Sequence, residues 1–305
     1  MVKKVVLLQG GFSEEREISL KSSAEIHKAL NELGYETIPL DPANFTNYLQ
    51  LGERILSIKP DIVFIGLHGG VGEEGTLQAF LSLLDIPYTG SNMNASSLCM
   101  DKHLSFVLAY SIGIKVPEYL VIDECIPKNW KFVDNLVLPL VVKPNNSGSS
   151  VGITILRDPN NLIEAIQEAF QYSTKVIIQK YIEGSELTVS ILGKKALPVV
   201  EIKVKDGWYD YQNKYTAGKT IYETPADLSN EQTNKIQDMS IKLFKTFGCR
   251  AYARIDFRYD GKDFYFLEIN TLPGMTSLSL TPMAAKQVGI SFPELVEEII
   301  EYSLL

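Results

Sequence analysis

One short stretch constrains this chain more than any other: Arg254-Ile255-Asp256, then Asp260-Gly261-Lys262-Asp263, then Glu268-Ile269-Asn270. Strand side chains alternate faces, so Arg254 and Asp256 share one face, and Glu268 and Asn270 share one face. The pattern reads as a hairpin from Ala251 to Asn270 that can gather four polar groups. Whether the halves coincide depends on the turn. Asp256 and Glu268 meet only if paired residue numbers sum to an even value, which a three-residue loop satisfies and a plain two-residue turn on Asp260 and Gly261 does not. Two carboxylates and an amide are hard oxygen ligands suited to Mg²⁺, which usually also binds substrate phosphates. A solvent-exposed strand face with an ion pair fits the spacing equally well. The context favours the metal, because the strand runs into Thr271 to Ser277, a loop whose backbone donors could face an anionic intermediate.

The first hundred residues alternate strand-like apolar runs with helical periodicity, the pattern of a parallel sheet covered by helices. Strands are expected at Val5 to Leu8, Tyr35 to Leu40 and Asp61 to Leu67, and helices at Ile18 to Leu33 and Gly75 to Leu84. Two glycine-rich loops, Gly10 to Glu15 and His68 to Gly75, follow strands and precede helices, which puts them at the carboxyl edge where ligands bind. Glu14, Glu15 and Glu17 also suit the dipole of a helix first turn whether or not they touch a ligand. Near Met100 the texture changes to shorter strands at Leu140 to Lys143, Gly152 to Leu156, Val176 to Gln179 and Leu187 to Leu192. A polar loop from Asp206 to Thr224 and a helix from Glu231 to Phe247 follow. The division is therefore an N-terminal α/β unit over 1–100, a central α+β unit over 101–184 and a C-terminal unit over 185–305.

Lys143 ends a strand and opens the small polar loop Pro144 to Gly152. Its backbone N–H groups and hydroxyls could cover phosphates while the lysine supplies a point charge; a bland surface turn is the alternative. It is not a Walker A loop, since the GK[ST] ending is absent and the pattern that follows is that of a strand, not a helix. Gln179 to Glu186 leaves another strand and could offer backbone groups to adenine and a carboxylate to ribose, or simply link two domains.

A net charge of −8 with no basic run leaves no general attraction for nucleic acid. The cysteines Cys99, Cys125 and Cys249 show neither metal spacing nor a disulfide framework, so a reducing cytoplasm is expected. No signal-peptide core and no apolar run of about 18 residues is present, and no membrane association is expected.

Taken in order, the segments resemble the ATP-grasp fold, and the whole chain resembles the D-alanine:D-alanine ligases. The resemblance rests on GGFSEEREISL at residues 10–20, HGGVGEEGTLQ at 68–78, YTGS at 88–91 and MDK at 100–102. It continues through VKPNNSGSSVG at 142–152, YDYQNKY at 209–215 and EINTLPGMTS at 268–277. The first, second and Tyr209 strings are the ones specific to this subfamily. The resemblance implies a pre-ATP-grasp parallel-sheet domain ahead of an α/β and α+β ATP-grasp fold, and one reaction. ATP phosphorylates the carboxylate of one D-alanine, and the amine of a second attacks the acylphosphate to give D-alanyl-D-alanine, ADP and phosphate.

By the same resemblance, Lys102, Lys143, Ser150, Gln179, Lys180, Ile182 and Glu186 contact ATP, and Asp256, Glu268 and Asn270 hold two Mg²⁺ ions, with Mn²⁺ able to substitute. Glu15 holds the first ammonium group, and Arg254 with the Gly274 N–H stabilises the tetrahedral oxyanion. Ser279 and Leu280 backbone groups take the second carboxylate. His68 and Lys214 serve the substrate, and Ser149 with Tyr215 links the first-substrate site to a closing loop. A cytoplasmic homodimer is the family expectation. Ser147 stands at a phosphate-loop position where some relatives carry glutamate, and Gln179 where an acidic residue often lies beside adenine. The chemistry needs no protein nucleophile, because phosphoryl transfer depends chiefly on positioning and on cationic neutralisation. His27 and His103 therefore read as ordinary helix residues. The rivals are a D-alanine:D-lactate ligase, another ATP-grasp ligase, and a non-catalytic regulator that kept the fold.

Overall fold

The computed structural model describes residues 3–123, 137–148, 151–204 and 220–305. Its first sheet is parallel, with β1 (Lys4–Leu8) between β2 (Glu36–Leu40) and β3 (Ile62–Ile65). β1 and β3 are almost wholly apolar, as strands covered on both faces must be. The covering helices are α1 (Arg16–Glu32), α2 (Tyr48–Ile58), α3 (Gly70–Glu73) and α4 (Thr76–Leu83). The second glycine loop is thus not all loop, since its middle winds into the short α3 and turns Glu73 inward. α5 (Met93–Met100) and α6 (Lys102–Ser111) lead onward, with Asn92 and Asp101 accepting backbone N–H groups at their starts.

The second sheet is antiparallel, in the order β4 (Tyr119–Ile122), β7 (Val176–Lys180), β5 (Leu140–Pro144), β6 (Thr154–Leu156). It packs on the amphipathic α7 (Leu162–Phe170) through Val142, Ile178, Ile166 and Ala169. The third sheet, also antiparallel, runs from β11 (Thr220–Glu223) through β10 (Val200–Val204), β8 (Ser185–Leu192) and β12 (Tyr252–Tyr259) to β13 (Phe264–Asn270). β9 (Lys195–Ala196) pairs with β8. The loop expected over Asp206 to Thr224 lies mostly outside the described residues, and its last part is a correction: Thr220–Glu223 forms an edge strand. α8 (Asn230–Thr246), started by a Ser229–Gln232 capping box, covers one face of this sheet.

α9 (Leu280–Gln287) and α10 (Phe292–Leu304) join that sheet to the first, the Thr281 hydroxyl of α9 lying 2.8 Å from the Ser190 hydroxyl of β8. Leu295, Val296, Ile299 and Ile300 of α10 join the core of β1, β3 and α1, and Ser303 Oγ accepts the Gly90 N–H at 3.0 Å. Both ends of the chain therefore brace the ground between the first and third sheets.

The β12–β13 hairpin closes by neither turn considered above. A four-residue loop, Asp260–Asp263, pairs Tyr259 with Phe264, an odd-sum register. A β-bulge at Leu267 then adds one residue to β13 and restores even parity, so that Asp256 faces Glu268 and Arg254 faces Asn270. Because a bulge reverses the side-chain phase, Phe264 and Phe266 point into the core while Glu268 and Asn270 beyond it point away.

Candidate active site

A cavity of about 580 Å³ lies where the glycine loops, α1, α5, the β12–β13 face and the segment after β13 converge. Nine of the residues singled out from sequence line it: Glu15, His68, Lys102, Arg254, Glu268, Asn270, Gly274, Ser279 and Leu280. They come from six separate parts of the chain, and each is aimed by a local device.

Glu15 sits at the start of α1 behind a loop locked by Arg16, whose Nη2 donates to Asp41 Oδ2 at 2.6 Å and whose Nη1 donates to the Gly11 carbonyl at 2.7 Å. Gly10 has φ +72°, and a Cβ there would stand 2.5 Å from Asp41 Oδ2, so both backbone angle and space require glycine. His68 is buried and ties two units together. The Leu272 carbonyl can only accept, so Nδ1 carries the proton and donates to it at 3.0 Å. Nε2 then accepts from Ser22 Oγ at 3.1 Å, and that oxygen in turn accepts the Met275 N–H at 3.4 Å. Burial pushes the His68 pKa down, against the pull of Glu15, and keeps the ring neutral. Structurally, His68 is the peg of the loop that carries Gly274.

Lys102 opens α6, is nearly buried, and donates from Nζ to the Ser147 carbonyl at 2.6 Å; the same Nζ lies 3.1 Å from Glu268 Oε2. Lys143 is buried next to it, with its ammonium 5.1 Å from the Phe106 ring centroid. Burial and the Lys102 charge depress its pKa to about 7, with Glu268 pulling the other way. Arg254 makes a two-pronged contact with Asp256, Nε to Oδ1 at 2.9 Å and Nη2 to Oδ2 at 2.8 Å, and Thr188 Oγ1 donates to the same Oδ1 at 2.6 Å. Asn270 Oδ1 accepts the Leu272 N–H at 3.1 Å. Asp256, Glu268 and Asn270 share one face of adjacent strands, and two carboxylates with an amide oxygen are a donor set that fits Mg²⁺. Among the described residues no group of three His, Cys, Asp or Glu side chains is arranged to hold a metal ion.

The remaining expected residues lie away from the cavity or outside the described residues. Gln179 and Lys180 end β7, and Ile182 and Glu186 flank the turn into β8. Arg258 braces that turn: Nε donates to the Ile182 carbonyl at 3.0 Å, and Nη1 lies 3.4 Å from Glu186 Oε2. The buried Gln179 Oε1 has no hydrogen-bond partner among the described residues. Ser149, Ser150, Lys214 and Tyr215 lie outside the described residues.

Three charged residues of the cavity wall were missed in the sequence. Glu73 is buried, accepts the Gly69 N–H at 3.1 Å, and is pushed up to about 7 by burial first and by the Glu15 charge second. Lys21 and Glu25 stand on the face of α1 that Ile18 begins, at the i, i+3 and i+7 positions that align on a helix. Glu25 Oε2 accepts the Ser277 N–H at 2.7 Å, holding the segment between Gly274 and Ser279.

A parallel N-terminal unit followed by two antiparallel sheets, with the lysines and carboxylates of several segments turned toward one cavity, is the ATP-grasp architecture of a ligase. The family model described as D-ala D-ala ligase N-terminus matches residues 44–91, and that described as D-ala D-ala ligase C-terminus matches residues 108–301. The chain belongs to the D-alanine–D-alanine ligase family. The D-alanine–D-alanine ligase of Syntrophotalea carbinolica is 42% identical over 98% of this chain and 95% of its own length. That of Aquifex aeolicus is 44% identical over 97% and 99%. The crystal structure of the Bacillus anthracis D-alanine–D-alanine ligase complexed with ATP superposes with a TM-score of 0.87 at 36% identity, covering 100% of this chain and 97% of that one. The VanG D-Ala:D-Ser ligase of Enterococcus faecalis gives 0.83 at 30% identity, covering 99% and 100%.

Proposed function

We propose that this chain is an ATP-dependent D-alanine:D-alanine ligase serving peptidoglycan synthesis, acting through an acylphosphate of the first D-alanine. The observation that supports this reading is a cavity lined together by the Glu15 carboxylate, the buried Lys102 ammonium, the Arg254 guanidinium and the segment that holds Gly274. Glu15 holds the first ammonium group. Lys102, Lys143 and Lys180 bind ATP phosphates, Ser150 covers them, and Gln179, Ile182 and Glu186 hold the adenosine. Asp256, Glu268 and Asn270 would hold the divalent ions, two of Mg²⁺ or Mn²⁺, which supply positive charge against the phosphate oxygens. Arg254 and the Gly274 N–H aim fixed donors at the oxyanion. His68 orients the loop, and Ser149, Lys214 and Tyr215 belong to the part that closes over the substrate. The division into 1–100, 101–184 and 185–305, cytoplasmic residence and a homodimer complete the reading on family resemblance.

The second carboxylate docks at Ser279 and Leu280, at the start of α9, where a helix N-terminus favours an anion; the Ser279 N–H itself donates to the Thr276 carbonyl at 2.9 Å and fixes that turn. Glu25→Ala releases the neighbouring Ser277 and is expected to raise the acceptor KM by about fivefold, the equivalent of one hydrogen bond of roughly 1 kcal/mol, with little change in kcat. A fall in kcat at unchanged KM would separate Glu25 from acceptor binding.

Lys143 predicts a pH effect. Its pKa is depressed to about 7, and a nearby triphosphate favours the charged form, so nucleotide binding takes up protons above pH 7. Calorimetry at about pH 8 in two buffers of unlike ionisation enthalpy should show that uptake, and Lys143→Met should abolish it. Equal heats in both buffers for the native chain would place Lys143 away from the phosphates.

A D-Ala:D-Ser ligase shares this fold, so backbone similarity does not choose the acceptor. Phosphate release and product analysis with D-alanine, L-alanine, D-serine and D-lactate, singly and in pairs, test the reading. Turnover is expected with D-alanine alone. Dependence on D-serine or D-lactate would assign a different acceptor, and no turnover with any pair would leave a non-catalytic nucleotide binder.

A further inference from the structure

Two thiols that the ligase chemistry does not use meet at the edge of the cavity. Cys99, on the last turn of α5, is nearly fully buried and contributes to the cavity wall. Cys249 is half-buried in the turn between α8 and β12. They are 150 residues apart in sequence, yet their sulfurs stand 3.7 Å apart, and both are free.

Burial, reinforced by the Cys249 thiol, raises the Cys99 pKa well above its ordinary value, which makes Cys99 the poor first nucleophile and the half-buried Cys249 the one that meets a solvent oxidant. We propose that Cys99 and Cys249 form a peroxide-responsive dithiol that closes to a disulfide and throttles the ligase reversibly. The Cys249 thiolate attacks one oxygen of hydrogen peroxide, the O–O bond breaks, and hydroxide leaves to become water. Cys249 is now a sulfenic acid. The Cys99 sulfur attacks it, the S–S bond forms, and the second oxygen departs as water with the remaining thiol proton. Two thiols are oxidised and one peroxide is reduced.

The bridge reaches the active site through α5. A disulfide holds its sulfurs about 2.05 Å apart, so the two must close by more than about 1.5 Å. Cys99 is three residues ahead of Lys102, whose Nζ contacts to Ser147 at 2.6 Å and Glu268 at 3.1 Å leave no slack. A misplacement of about 1 Å around a reacting centre can cost on the order of 100-fold in rate.

The throttling rests on the ligase reading, whereas the bridge does not, and peptide mapping reads the bridge without any turnover assay. The full chain is treated with hydrogen peroxide, mapped by mass spectrometry under non-reducing conditions, and assayed before and after dithiothreitol. The expected result is a Cys99–Cys249 linked peptide, a fall in kcat of at least tenfold in step with it, and recovery on reduction. Cys249→Ser should keep its activity through the same treatment. A bridge involving Cys125, a sulfenic or sulfinic product without a bridge, a bridge with unchanged turnover, or equal inactivation of Cys249→Ser would each overturn the proposal.

Discussion

Glu268→Gln is expected to lower kcat by about three orders of magnitude, the several kcal/mol that a lost charge at a metal and phosphoryl-transfer site represents. The amide keeps the size and one oxygen but withdraws the charge, and in this structure that charge serves two neighbours at once. Glu268 faces Asp256 across the hairpin, where the divalent ion is proposed, and it lies 3.1 Å from Lys102, whose side chain is only 5% exposed. Removing it leaves Lys102 with the Ser147 carbonyl and takes from Lys143 the carboxylate that favours its charged form. Glu268 itself is 30% exposed, so water offsets part of this and the fold should lose only about 1 to 3 kcal/mol. Circular dichroism should show native secondary structure with a modestly lower Tm, while ATP turnover nearly vanishes. Near-normal turnover at saturating Mg²⁺ would remove Glu268 from the ligand set.

The same residue shows how far the sequence could be read. Glu268 and Asn270 were legible as a polar pair on one strand face, and Arg254 and Asp256 as its complement. Their meeting was not legible from turn length, because parity is set by the bulge at Leu267. The signal was present in the run from Phe264 to Asn270. Strict alternation would put Phe264, Phe266, Glu268 and Asn270 on one face, which no half-buried strand tolerates, so a phase change between Phe266 and Glu268 was required. Glu73 was hidden for a different reason. A glycine-rich stretch reads as loop, and its winding into α3 depends on Gly69 and Gly70 taking positive φ against the neighbouring chain. Lys21 and Glu25 looked like the solvent face of α1 because helical periodicity reports a face without naming what stands opposite it. What stands opposite is the segment after β13, some 250 positions away, and only the packing of α9 and α10 against the first core brings it there. The parallel sheet, the two glycine loops and the lysine-ended strand depended on local pattern and were readable; the convergence depended on long-range packing and was not.

Arg254→Lys is expected to cut kcat by about 10²- to 10³-fold, the loss associated with removing one oxyanion donor, while the KM for ATP moves little. Charge is conserved in this substitution, so the effect isolates geometry. The guanidinium presents a planar set of five donors, and here Nε and Nη2 hold the two oxygens of Asp256 at 2.9 and 2.8 Å. Thr188 Oγ1 holds Oδ1 from the other side, so Asp256 cannot swing to follow a shorter partner. An ammonium group can meet one carboxylate oxygen but cannot keep the fork and reach the cavity wall that Arg254 helps form. On the proposed roles two functions fail together: Asp256 loses its fixed orientation beside Glu268, and the oxyanion is left with the Gly274 N–H alone. Single-turnover measurements with saturating ATP and D-alanine read the chemical step directly. Slow chemistry at an unchanged ATP KM is the expected outcome, and a raised ATP KM with chemistry intact would move Arg254 from the oxyanion to the nucleotide.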